Sequence, residues 1–193
     1  MFPHLRSRSR RHHGYTLLDV LFLSSLLTIV TAISVPALTA GLERSRTRAA
    51  ARYLTAQMAM LRTHAVSRST TLAMRFQRGA GGLTIAVYAD GNGNGVRVRD
   101  IDAGTDRMVE APVRLEDLFP GVAIAVPATF DGEAVDLGGT ELLSFTPEGT
   151  SSSGTINLLG RDGSHFAVRI LGVTGRIRLL RFEPRTGEWL ESF

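Results

Sequence analysis

Three stretches of the chain carry residue types at spacings that suit chemistry. The first is DGNGNGVRVRDIDAGTD, from Asp90 to Asp106, which offers side-chain oxygens at Asp90, Asn92 and Asn94, a glycine at Gly95, then carboxylates at Asp100, Asp102 and Asp106. Alternating oxygen donors followed by a glycine for a sharp turn open a calcium loop of the D-x-[DN]-x-[DN]-G type. The twelfth position is Ile101 rather than Glu, so bidentate closure falls to Asp100 or Asp102 in a loop of altered length. The competing reading is a Gly/Asn hairpin loop whose acids are simply solvated, and the residues leave both open. Calcium would be a structural ion; nothing else in the chain asks for a cofactor.

The second stretch is TGRIR, Thr174 to Arg178. In an extended strand Arg176 and Arg178 project from one face about 7 Å apart, which matches successive phosphates along a nucleic-acid strand. Arg161, Arg169 and Arg181 would enlarge the patch. Alternatively Gly175 supplies a positive φ to a closing hairpin and the arginines pair with acids. The third feature is Asp19. It is the only charged residue in the apolar run from Tyr15 to Val35. An acid inside such a run ordinarily has a partner.

Enzyme chemistry finds little support. The chain has no Lys and no Cys, which removes a phosphate-loop lysine, a Schiff base and a thiol nucleophile, and it has no G-x-S-x-G or H-E-x-x-H motif. Of the five histidines, His4, His12 and His13 lie before the apolar run, and His64 and His165 stand alone on a helix and a strand. No catalytic residue is assigned.

The elements that must position these groups follow from hydropathy patterning. The run beginning at Tyr15 is long enough to cross a hydrocarbon core of about 30 Å. The segment before it carries Arg6, Arg8, Arg10 and Arg11 without an acid, which places the N-terminus in the cytoplasm and the remainder outside. A helix is expected to continue past Pro36, where Leu54, Met58, Leu61 and Ala65 draw one apolar stripe and Arg44, Arg48 and Arg52 lie off it. TTLAMRF and GGLTIAVY alternate as the arms of a hairpin turned by RGAGG. Further strands are expected at Val109–Leu115, Val122–Val126, Leu142–Phe145, Thr155–Leu159, His165–Leu171 and Arg176–Phe182. In HFAVRIL the set Phe166, Val168 and Ile170 opposes His165, Ala167 and Arg169, which predicts one wet face. The class is α+β, a long N-terminal helix packed on antiparallel sheets.

Charge is segregated. The formal net charge of +4 rests on 22 basic residues against 18 acids, all of the basic ones arginine, and loss of the four arginines before the apolar run would leave the two signs balanced. The high pI is therefore no sign of nucleic-acid binding by itself. From Glu43 to Arg78 eight arginines accompany one acid, and from Asp90 to Glu148 twelve acids accompany four arginines. Either these are solvated faces or they complement neighbouring subunits.

The stretch from Gly14, YTLLDVLFLSSLLTIVTAISVP, resembles the class III signal of type IV prepilins and type II secretion pseudopilins. The elements of the resemblance are a short basic leader, Gly14 at the cut, the aromatic Tyr15, an acid at mature position five (Asp19) and Pro36. The family usually carries Phe and Glu where this chain has Tyr15 and Asp19. The later stretch LLSFTPEGTSSSGTINLLGRDGSHFAVRILGVTGRIRL resembles the globular domain of the GspH/FimT group of minor pseudopilins and minor type IV pilins. The resemblance implies a pilin-like fold, cleavage between Gly14 and Tyr15 by a prepilin peptidase, and N-methylation of Tyr15. It further implies that Asp19 neutralises the new amine of a neighbouring pilin in the filament. The divisions are then a cleaved leader (1–14), a transmembrane or filament-core helix (15–36), its amphipathic continuation (37–68) and a β-rich globular domain (69–193). The protein is expected in a bacterial inner membrane, single-pass, with its C-terminal domain on the periplasmic or extracellular side, before joining a filament. Some pilus members of the resembled group bind DNA through Gly-Arg-x-Arg at the position of Arg176 and Arg178. A secretion or pilus subunit, a DNA-capturing pilin and a plain anchored domain that never polymerises all remain open at this point.

Overall fold

The computed structural model describes residues 16–79 and 82–192, except the side chains of residues 35–37 and 40. Gly14 and Tyr15 lie outside the described residues. The chain divides into two compact units, residues 1–39 and 40–193. The described part of the first is helical, and its window Leu17–Ser34 is long and apolar enough to cross a membrane, with every side chain exposed. Helix α1 is continuous from Leu17 to Ser67 and runs through Pro36.

In the second unit the helix, from Ala40 onward, is part of the core. Leu54, Met58, Leu61 and Ala65, together with Ala50 and Ala51, are buried almost completely. They pack in one cluster with the inward residues of both sheets. The expected stripe is real, and both sheets cover it. The first sheet has the order β3-β2-β1-β6, with β1 Leu72–Gly79, β2 Gly82–Ala89, β3 Arg107–Arg114 and β6 Leu142–Phe145. The second has the order β10-β9-β8-β7-β4, with β4 Val122–Ala123, β7 Gly154–Gly160, β8 His165–Leu171, β9 Arg176–Glu183 and β10 Glu188–Glu191, while β5 (Val135–Asp136) pairs with β7 off this path. All pairings are antiparallel.

Period-two alternation explains the layering. Leu72, Met74, Phe76, Ile85, Val87, Leu143 and Phe145 share the face turned to the helix core, as do Ile156, Leu158, Phe166, Val168, Ile170 and Leu179 on the second sheet. The hairpin β1–β2 and the strands β6, β7, β8 and β9 fall where alternation places them. Two segments differ from expectation. The segment Val122–Val126 is a strand only over Val122–Ala123, because the chain then bonds once more to β7 through Ala125 N–H and turns off toward Pro127. The segment Val109–Leu115 is a strand from Arg107 to Arg114, and Leu115 begins the short helix α3 (Leu115–Leu118).

The wet face expected for β8 is also corrected. His165 and Ala167 are as buried as Phe166 and Val168, and Arg169 is exposed. The reason is tertiary: Phe130, from the loop before β5, and Phe182 and Trp189, from the β9–β10 hairpin, form ring contacts with His165 over that face.

Candidate assembly and anion-binding sites

Asp19 sits in the first turn of α1. Its carboxylate oxygen Oδ2 accepts the backbone N–H of Thr16 at 2.9 Å, and the Thr16 hydroxyl accepts the N–H of Asp19 at 3.3 Å. This is a reciprocal capping box, with Ser/Thr at the cap and an acid three residues on, satisfying two helix-end donors that hydrocarbon would leave bare. The T-x-x-D spacing was present in the sequence and signals the cap directly. The hydroxyls of Ser24, Ser25, Thr28 and Thr31 further along the run bond back to carbonyls of their own helix. Pro36 lies within α1, and its side chain is outside the described set.

The loop from Asp90 to Asp106 is closed by its own acids. Asp90 Oδ1 accepts the N–H groups of Asn92 (3.1 Å) and Gly93 (2.8 Å), and Oδ2 accepts that of Gly95 (2.8 Å). Burial opposes its charge, but these backbone donors outweigh burial and hold the Asp90 carboxyl below the ordinary carboxylate range. Asp106, almost fully buried, bridges the N–H of Gly91 (3.0 Å) and of Arg97 (2.9 Å). Asp100 and Asp102 lie on the short helix α2 (Val98–Asp102), one beside Arg99 at 3.4 Å and the other beside Arg75 at 3.3 Å. Asn92 and Asn94 are exposed. Among the described residues no group of three or more His, Asp or Glu side chains is placed to hold a metal. The loop also lays Val96, Val98 and Ile101 over Ala73, Ala86, Tyr88 and Leu142 on the outer face of the first sheet.

Arg176 and Arg178 share the outer face of β9, and the register sets Arg169 of β8 directly beside Arg178. Arg181 does not join them. It pairs with Phe166, whose side chain points into the core, so parity puts Arg181 on the opposite face. Arg161 is also apart, in the turn after β7, with its guanidinium beside Gly121. Arg178 Nε is 3.9 Å from Glu191 Oε1 on β10, a loose pair, whereas Arg176 is exposed with no ion-pair partner among the described residues.

The turn that presents these arginines is held by a residue with no sequence signal. Arg62 of α1 donates from Nε to the carbonyl of Gly149 at 2.8 Å and from Nη2 to that of Thr174 at 3.2 Å. Gly175 has φ +58°, and a Cβ there would stand 2.6 Å from both Arg62 Nε and the Gly149 carbonyl oxygen. The positive φ expected at Gly175 is present, and close approach adds a second reason for glycine.

An apolar helix long enough to cross a membrane, with a capped acid near its start, together with an α+β unit built on antiparallel sheets, fits the pilin-like class of fold. Residues 50–174 match the sequence family described as type II transport protein GspH, and the chain belongs to that family. Its general role is that of a type II secretion pseudopilin, a structural component of the secretion machinery. No curated protein and no solved structure matches the chain.

Proposed function

We propose that the protein is a minor subunit of a type II secretion pseudopilus that works by helix packing and by contacts of its second unit with neighbouring pseudopilins. The observation that carries this reading is Asp19, the one charged side chain of the Leu17–Ser34 span, already oriented toward the helix start by Thr16. In this reading a prepilin peptidase cleaves after Gly14 and Tyr15 becomes the methylated N-terminus. The second unit then lies on the periplasmic side. Before assembly the capping box satisfies the Asp19 carboxylate within its own chain. In the filament the same carboxylate exchanges part of that bonding for the charged amine of a neighbour, an attraction strengthened by the low dielectric of packed apolar helices. Mass spectrometry of the protein from its host should give an N-methylated Tyr15 as the first residue. An Asp19→Ala chain should be processed yet fail to enter filaments. A mature chain beginning at Met1, or normal incorporation of the Ala variant, would refute the proposal.

A second reading is favoured by one observation, the shared outer face of Arg169, Arg176 and Arg178. In it the subunit captures DNA outside the cell, as a pilus subunit in DNA uptake, by phosphate contact without base readout. The full chain in detergent should then bind duplexes of unrelated sequence equally, and the double variant Arg176→Gln/Arg178→Gln should lower the salt slope by about two. No binding at low salt, or an unchanged double variant, would leave the secretion reading alone.

A further inference from the structure

The fold buries one histidine that neither reading uses. His165 is 2% exposed at the start of β8. Its ring is surrounded by Trp189 at 4.8 Å between centroids, Phe130 at 5.1 Å and Phe182 at 6.0 Å. The tautomer is determined by a chain of bonds: Asn157 Nδ2 donates to the Glu133 carbonyl at 2.8 Å, so Asn157 Oδ1 is the acceptor facing His165 Nε2 at 3.1 Å. Nε2 therefore carries the hydrogen, and Nδ1 is a bare acceptor, buried and without a partner.

We propose that His165 is a proton-operated latch for the C-terminal strand: protonation at Nδ1 places a cation in an apolar ring cluster and releases β10 from the second sheet. The proton comes from solvent and no other group changes. β10 is the part that yields, because it has four residues, pairs only with β9, and reaches the cluster through Trp189 alone.

The Trp189 and Phe130 rings offer an imidazolium some cation–π attraction, but no charged neighbour among the described residues pairs with it and the loss of hydration outweighs the rings. The elements packed around the ring carry Asp131 and Glu133 in the loop before β5, Arg44 on α1, Arg161 and Asp162 in the turn before β8, Arg169 on β8, Arg176, Arg178, Arg181 and Glu183 on β9, Arg185 in the β9–β10 turn, and Glu188 and Glu191 on β10. None of them forms an ion pair with His165 among the described residues. Asp162 stands 4.0 Å from Arg44, and Glu183 is bonded to Arg181 at 3.1 Å. Burial accordingly holds the imidazole below its ordinary range, so the docked form prefers the neutral ring. Docking is most favoured above the ordinary histidine value of about 6.5, and below it the undocked fraction grows by up to about tenfold per pH unit until the docked ring itself titrates. Release also removes Glu191 from Arg178. The basic face of β9 would thus be more open in an acidified periplasm, whichever ligand it meets.

Trp189 is the only tryptophan, so the full chain in detergent reports its own latch. Between pH 7.5 and 5 its emission should shift red, acrylamide should quench it more readily, and the amides of Trp189–Glu191 should exchange faster than the intrinsic pH correction predicts. The β1–β2 hairpin should stay protected. His165→Phe should keep the aromatic packing and abolish the transition, and His64→Gln should retain it. Should the Phe variant fail to fold, the His165 ring resonances of the wild type supply the test, titrating in step with the Trp189 shift. Unchanged Trp189 emission and exchange down to pH 5, a transition persisting in His165→Phe, or loss of protection across the whole second unit would overturn the proposal.

Discussion

Arg62 is the residue whose removal should do most damage for its place on the surface. Its guanidinium holds two loops 87 and 112 residues away in sequence, through the carbonyls of Gly149 and Thr174. In Arg62→Met the aliphatic stem remains and both bonds vanish. Gly149 is buried, so its carbonyl is left without a partner, a loss of about 1–3 kcal/mol. Thr174 is exposed and its carbonyl can take water instead, so that bond contributes at most about 1 kcal/mol. The expected destabilisation is about 1–4 kcal/mol, which for a unit of this size lowers Tm by roughly 2–16 °C. Arg62→Lys, able to reach one carbonyl but not both in the planar fork geometry, should recover part of the loss. Differential scanning calorimetry of the full chain in detergent measures this, with Arg169→Gln on the exposed face as a control expected within about 0.5 kcal/mol of wild type. An Arg62→Met chain that melts within a degree of wild type would show that the two bonds are satisfied equally well by water.

Gly175→Ala should cost about 2–4 kcal/mol in chemical denaturation, since it combines a left-handed backbone with a Cβ 2.6 Å from two neighbours. Met58→Ala, fully buried between the sheets, should cost about 2–5 kcal/mol in the same assay. Asp90 contributes stability that is fully present above the unfolded carboxylate value of about 3.9 and declines as pH falls below it, because its folded value is depressed. Asp90→Asn should therefore flatten that part of the acid limb in pH-dependent melts. Calcium titration tests the Asp90–Asp106 loop: an ion held there should give binding heat and raise Tm, a chelator should reverse both, and Asp90→Asn should abolish them.

Local pattern was sufficient wherever a residue's role depends on its near neighbours. The helical stripe of Leu54, Met58, Leu61 and Ala65, the alternation of β1 and β2, and the shared face of Arg176 and Arg178 all follow from helix and strand periods. Asp19 stood out because it is the one charge in a whole membrane span, and its cap partner is three residues away. Tertiary structure decided the rest, for reasons of register and distance. That Arg181, three residues after Arg178, faces the other way follows from the same strand period, and only its pairing with Phe166 shows that this other face is the one turned to the core. Asp90 and Asp106 have the composition of metal ligands, and only the fold shows that their oxygens accept backbone N–H groups of their own loop. The second face of β8 was expected to be wet because its own residues alternate, whereas Phe130, 35 positions before His165, and Trp189, 24 after it, close over the ring. Alternation within a strand records how often a side chain changes face; which face meets water is determined by chain segments that fold over it from elsewhere.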